Sequence, residues 1–280
     1  MNTALDPAII DVCVQLITKL NDRQKQGIRT VGVFDSGVGG LTVLPSLTEP
    51  TQLSDILYRG DTAHFPYGEK TETELIPLVL ADITYLVESG CSTIGIACNT
   101  ASVIWQEIVL QLPDSIRQLA AEVILDTIST TVRSLSTIEP HKTIGIIGTS
   151  FTVHSGAYER AISRQFPEAQ PVILQSAEQV LINAIERGEK EAIDRELLRI
   201  FEYFGQCELD VFILGCTHYG HIAPAIAGAL SPQVVLLDPS VLLGTKLRQI
   251  IATLPSVADT SVTPQTTVTF TGERPATCVY

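Results

Sequence analysis

No stretch of the 280 residues holds about 18 consecutive apolar side chains, which argues against a membrane-spanning helix. No basic segment followed by an apolar core opens the sequence, so a secretory signal is not expected. Lysine and arginine number 18 against 31 acidic residues, and they form no cluster. With a formal net charge of -13, that distribution argues against a nucleic-acid surface. Cysteine is present but never as a Cys-x-x-Cys pair; the six lie at 13, 91, 98, 207, 216 and 278. Their scatter in a chain without a signal points to reduced thiols and a cytoplasmic setting. Aromatic residues are only 6%, yet 45% of the chain is hydrophobic, enough for one large or two medium domains.

What the chain does have is alternation. Candidate strands are Thr30–Phe34, Ile56–Tyr58, Thr93–Ala97, Glu122–Leu125, Thr143–Ile147, Val172–Leu174, Val211–Leu214 and Val234–Leu237. Helical patterns fall between them at Thr71–Ser89, Ala101–Leu112, Ser155–Phe166, Ala177–Arg187 and Glu191–Phe204, and a rough apolar stripe runs from Pro7 to Leu20. Turn residues punctuate the pattern, as at Glu139-Pro140. The expectation is an α/β fold with mainly parallel sheets flanked by helices.

The two halves repeat. Val31-Gly32-Val33-Phe34-Asp35-Ser36 parallels Ile144-Gly145-Ile146-Ile147-Gly148-Thr149. Cys98 closes one apolar run and Cys216 closes another, each followed by a small polar residue and a helix-like start. From Asp35 to Cys98 is 63 positions, and from Gly148 to Cys216 is 68. This ordered pair of pairs predicts two similar domains related by a pseudo-twofold axis, with a cleft between them holding both thiols. The division expected is 29–126 plus 237–280 for the domain carrying Cys98, 127–236 for the one carrying Cys216, and 1–28 as an N-terminal extension. Cys13, Cys91 and Cys207 read as small buried hydrophobes, and Cys278 as incidental.

Three segments carry chemistry. Asp35-Ser36-Gly37-Val38-Gly39-Gly40 follows a strand; its glycines let backbone approach a ligand, but it is neither the dinucleotide fingerprint nor a P-loop. Asp35 stands where a carboxylate orients or deprotonates a thiol, or simply caps a helix. Cys98 and Cys216 stand at helix starts, where the dipole is expected to lower a thiol pKa, and His218 lies within proton-exchange reach of Cys216. Cys216-x-His218-x-x-His221 offers metal ligands, but no fourth ligand has recognised spacing, and no metal is expected. His141 and His154 read as loop or cap residues, and His64 has no evident proton partner. Phe65-Pro66-Tyr67-Gly68 reads as a turn in which Tyr67 either walls a pocket or packs within its loop. Basic residues are absent from 35–40, 98–102 and 216–221, so an anionic ligand would meet backbone amides, hydroxyls and Asn99.

Together these segments resemble cofactor-independent glutamate racemase, in the aspartate/glutamate racemase superfamily. The resemblance rests on Val33-Phe34-Asp35-Ser36-Gly37-Val38-Gly39-Gly40-Leu41-Thr42-Val43, Pro66-Tyr67-Gly68, Ala97-Cys98-Asn99-Thr100-Ala101-Ser102 and Leu214-Gly215-Cys216-Thr217-His218-Tyr219. It implies a two-base reaction without a cofactor, Cys98 acting on the D-enantiomer with Asp35 assisting, Cys216 on the L-enantiomer with His218 assisting. Glu186 matches a carboxylate supporting the histidine side. Asp35, Ser36, Tyr67, Gly68, Asn99, Thr100, Thr217 and His218 match substrate-contact positions. The implied partners are a small acidic amino acid, a second copy of the chain, and a peptidoglycan precursor as activator, the last because Ser176-Ala177-Glu178 is similar to the enterobacterial branch. Gly220-His221 replaces the usual Pro-Leu, and His64 a commoner small or apolar residue, which leaves the length of the acid open between glutamate and aspartate. A non-catalytic amino-acid-binding homologue and a thiol–metal hydrolase are the readings of other classes.

Overall fold

The computed structural model describes residues 4–48, 53, 55–135, 143–255 and 265–273. His141, Cys278 and the Glu139-Pro140 turn lie outside the described residues. The apolar runs form two all-parallel sheets. In the first, β1 (Val31–Asp35) pairs with β2 (Asp55–Gly60) and β3 (Thr93–Ile96), and β3 pairs with β4 (Ile124–Asp126). In the second, β5 (Thr143–Gly148) pairs with β6 (Val172–Ala177) and β7 (Val211–Gly215), and β7 with β8 (Val235–Leu237). The strand order is therefore the same in both, β2-β1-β3-β4 and β6-β5-β7-β8. The repeat read in the sequence is a repeat of topology, and each cysteine follows the third strand of its unit.

β1, β3 and β7 are buried along their whole length, as expected of parallel strands covered on both faces. The first sheet is covered by α3 (Glu72–Glu88) and α4 (Asn99–Leu110) on one side. On the other lies α12 (Pro239–Thr253), whose Leu243, Leu247 and Ile251 share a core with Val31, Val33 and Ile56. The second sheet is covered by α6 (Thr127–Ser134) and α8 (Ala157–Gln165) on one face, and by α9 (Gln179–Arg187) and α10 (Lys190–Phe204) on the other. The segment before the first strand is a helix, α1 (Pro7–Lys25), capped by Asp6; it buries Cys13, Leu16, Ile17 and Leu20 in the core of the first sheet.

Several expectations need correcting. Glu122 and Val123 end a helix, α5 (Asp114–Val123), and the strand begins only at Ile124. Ala177 ends β6 instead of starting the next helix. The helix expected over 155–166 starts two residues later: a separate short helix, α7 (Ser150–His154), ends before it, Gly156 turns at φ 64, and α8 follows. That left-handed turn is open to glycine at little cost, and it re-aims the chain. Cys207 is exposed in the turn after α10, while Cys13 and Cys91 are buried. A ninth strand, β9 (Gln265–Phe270), adds to the outer edge of β2. Just beyond it Thr271 and Gly272 tie down residues 61–63. The Thr271 hydroxyl donates to Asp61, the Ala63 amide donates to Thr271 Oγ1 at 3.0 Å, and the Gly272 amide donates to Thr62 Oγ1 at 3.1 Å.

Candidate active site

β3 ends at Ile96 and α4 begins at Asn99, so Cys98 is the cap of that helix. Its Sγ accepts from the Ala101 amide at 3.5 Å and donates to Ser36 Oγ at 3.4 Å. β7 ends at Gly215, and Cys216 leads a short tight turn over Thr217–Ile222. Its Sγ lies 3.4 Å from His218 Nδ1, and His218 Nε2 is hydrogen-bonded to Glu186 Oε1 from α9. Both thiols are 6% exposed and face one cavity. Ser36, Tyr67, Gly68, Asn99, Thr100, Thr217 and His218 share its lining.

Asp35 is not in that lining. It is fully buried behind Ser36 and Thr217, accepting from the Gly37 amide at 2.8 Å and the Thr217 hydroxyl at 3.2 Å. Its effect on Cys98 is therefore that of a nearby charge. Glu186 likewise reaches the cavity only through His218. The glycine loop is needed for this closeness: a Cβ on Gly39 would stand 2.6 Å from Thr217 Oγ1 and 2.9 Å from His218 Nδ1. The two repeats thus interlock at the thiol-bearing turns.

Sequence reasoning missed the residues that hold the lining in place. Tyr158 donates to Asn99 Oδ1 at 2.7 Å, and Thr149 meets Thr100 hydroxyl to hydroxyl at 3.0 Å across the two units. The Tyr67 hydroxyl donates to the buried Asp61 carboxylate at 2.6 Å, so its ring, not its hydroxyl, walls the cavity. Asp61 also bonds His64 Nδ1 at 2.9 Å, which gives that histidine its partner. Apart from the position of Asp61 at the end of β2, the end at which such sheets place function, no local pattern marks them.

Burial, then the charge of Asp35, pushes the Cys98 thiol up to about 12, against the lowering effect of its Ser36 and Ala101 bonds. The expected lowering by the helix start is outweighed. For His218, burial opposes the imidazolium, but the charge interaction and hydrogen bond with Cys216, and then those with Glu186, raise its pKa well above the ordinary value. Glu186 is opposed by burial too, yet its bond to His218 and the charges of His218 and His221 hold it below the usual carboxylate range. Both shifts favour the protonated form, of the His218 ring and of the Cys98 sulfur.

The cavity's free volume is about 20 Å³. That is room for about one water, so the lining must part to admit a larger molecule. Wider hollows exist, of about 850 Å³ beside α12 and about 260 Å³ between α4 and α8, but no thiol or histidine lines either. Among the described residues, no group of three or more His, Cys, Asp or Glu side chains is placed to hold a metal.

Two buried sulfurs on one cavity, each with separate proton-handling neighbours, are the groups an acid–base enzyme uses. The comparisons agree with that class. The family described as Asp/Glu/Hydantoin racemase matches residues 61–243. The glutamate racemase of Desulforudis audaxviator is 36% identical over 218 residues, covering 75% of each chain. The solved glutamate racemase of Thermus thermophilus, in complex with beta-chloro-D-alanine, is 30% identical, covers 88% of this chain and 89% of that one, and has a TM-score of 0.68. That of Francisella tularensis, in complex with D-glutamate, is 28% identical with the same coverage and TM-score. The chain belongs to the Asp/Glu/Hydantoin racemase family.

Proposed function

We propose that the chain is a glutamate racemase that interconverts L- and D-glutamate without a cofactor, using Cys98 and Cys216 as the two bases. One observation carries the reading: two buried thiols line a single cavity, and each has its own set of neighbours. Inverting a carbon requires removal of a proton from one face and delivery to the other, so a single base does not suffice. The identity of the relatives supports glutamate as the acid.

In the L-to-D direction, Cys216 as thiolate takes the α-proton, with His218 protonated beside it and Glu186 steadying the imidazolium. The carbanion then takes the proton of the Cys98 thiol on the opposite face. The Cα–H bond breaks as an S–H bond forms at Cys216, the S–H bond of Cys98 breaks as the new Cα–H bond forms, and the enzyme is left with Cys98 as thiolate and Cys216 as thiol. In the reverse direction Cys98 is the base. Its high resting pKa is offset by the substrate ammonium, a cation brought to the wall behind which the charge of Asp35 is buried. Solvent exchange between turnovers restores the starting protonation.

This reading takes residues 29–126 with 237–280 as one domain and 127–236 as the other, on the support of the separate cores that the two sheets build. It includes a cytoplasmic homodimer supplying D-glutamate for peptidoglycan, with a peptidoglycan precursor as activator on the Ser176-Ala177-Glu178 resemblance. Among the described residues no helix is long and apolar enough to cross a membrane.

The test is incubation of both enantiomers of glutamate and of aspartate in heavy water, with deuterium at Cα read by NMR. Expected are exchange and racemisation of glutamate, and loss of racemisation by about a thousandfold or more in Cys98→Ala and in Cys216→Ala. Full activity in either variant sinks the two-thiol mechanism. Preference for aspartate changes the acid and keeps the chemistry. Binding without exchange makes the protein a non-catalytic homologue.

A further inference from the structure

The cavity wall contains two buried side-chain atoms without a hydrogen-bond partner: Asn99 Nδ2 from the first unit and Gln179 Oε1 from the second. Leaving such groups unpaired costs free energy unless a ligand satisfies them. Asn99 was expected at the site. Gln179 was not; it is the first residue of α9, and its other amide atom, Nε2, donates to Asn183 Oδ1 at 3.1 Å.

An acidic amino acid has three polar ends to place. The buried charge of Asp35, behind Ser36 and Thr217, draws the ammonium to that wall. The start of α4, where Tyr158 fixes the Asn99 carbonyl and leaves Nδ2 free, offers donors to the α-carboxylate. What is left is the corner of Tyr67, Gly68, Thr149 and Gln179. A Cβ on Gly68 would lie 2.8 Å from Thr149 Cβ and 3.4 Å from Gln179 Oε1, so these residues enclose one small space. That corner carries no lysine or arginine, and an anion there must be met by neutral donors.

We propose that Gln179 reads the end of the substrate's side chain, its carboxamide donating an N–H to the distal carboxylate. The carboxamide turns about its last bond to present nitrogen instead of oxygen. Asn183, also an amide, turns with it and keeps the bond between them. The role rests on the acidic-amino-acid reading above and deepens it. It makes Gln179 a specificity residue, remote from the proton transfers at the two sulfurs.

The experiment measures D-glutamate and D-aspartate binding by calorimetry, and kcat and KM by α-proton exchange, for the wild type, Gln179→Glu and Asn183→Ala. Gln179→Glu keeps the shape and sets a carboxylate against the distal carboxylate. Expected is a rise of at least about tenfold in Kd and KM for the preferred acid, with kcat within about threefold. Asn183→Ala, which removes only the amide–amide bond, should change Kd by less than about threefold. The proposal is overturned if Gln179→Glu leaves Kd within twofold of the wild type, if both variants weaken binding alike, or if the wild type binds neither acid. Weaker binding in Gln179→Glu, with no α-proton exchange even in the wild type, refutes the racemase reading and leaves the role of Gln179 standing.

Discussion

Replacing Glu186 by Gln keeps the shape of the group that holds His218 and removes its charge. The bond it changes is partly buried, the side chains being 21% exposed for Glu186 and 4% for His218. A charge-assisted hydrogen bond in such a setting is worth about 1.5–3 kcal/mol, so the transition state at the Cys216 face should rise by about 2 kcal/mol, or about 30-fold in rate. The loss cannot fall on one direction alone. L- and D-glutamate have equal free energies in water, so kcat/KM must be the same both ways in every variant. The asymmetry appears in isotope effects. With the Cys216 face made slow, α-deuterated L-glutamate should show a larger effect on kcat/KM than in the wild type. The effect for α-deuterated D-glutamate should fall towards unity, because its C–D bond is broken at Cys98 before the slow step. The assay is the initial rate of circular-dichroism change with protiated and deuterated enantiomers. The reasoning is refuted if the two isotope effects move together, or if kcat/KM drops by less than about threefold.

Gly39→Ala should overpack the interlock between Thr217 and His218, costing about 1–3 kcal/mol in urea unfolding and lowering kcat/KM far more than a remote glycine change such as Gly228→Ala, where a Cβ meets nothing within 4 Å. Asp82 gives a pH prediction: burial, and then the Asp61 charge, lift its carboxyl from 3.8 to about 6 despite the Arg59 ion pair. The folded state holds that proton more tightly than the unfolded state. This contribution to stability is therefore full below pH 3.8 and is lost as pH rises towards 6, a change of about 3 kcal/mol. Asp82→Asn should remove that slope from a plot of unfolding free energy against pH; an unchanged slope would contradict the assignment.

The sheets were legible because parallel strands buried on both faces leave unbroken apolar runs. β5 and β7 could be read directly, and the matching corner and cysteine gave the shared topology. β9 was not legible for the opposite reason: Gln265–Phe270 is a largely exposed edge strand whose threonines carry no buried pattern. The start of α12 did carry a signal, Asp238 as helix cap just before Pro239, but its apolar residues serve the sheet of the other half of the chain. At the site, the residues that move protons stood in motifs. The residues that steer them, Tyr158 onto Asn99 and Asp61 onto Tyr67, did not, because such pairs are made by tertiary contact between distant segments. The direction of the Cys98 shift was misjudged for a similar reason. Sequence shows a helix start, while the burial and the Asp35 charge that dominate appear only in three dimensions.

The tie between Thr271–Gly272 and the 61–63 segment sets an order of events during synthesis. A ribosome adding about 5–20 residues per second makes residue 61 about 10–40 s before residue 271. Through that interval both cysteines emerge and their strands can pair, yet the segment leading to Tyr67 and Gly68 lacks the tether that closes it over them. A nascent chain thus holds its two sulfurs before the 61–63 segment is tied down by the residues that follow β9.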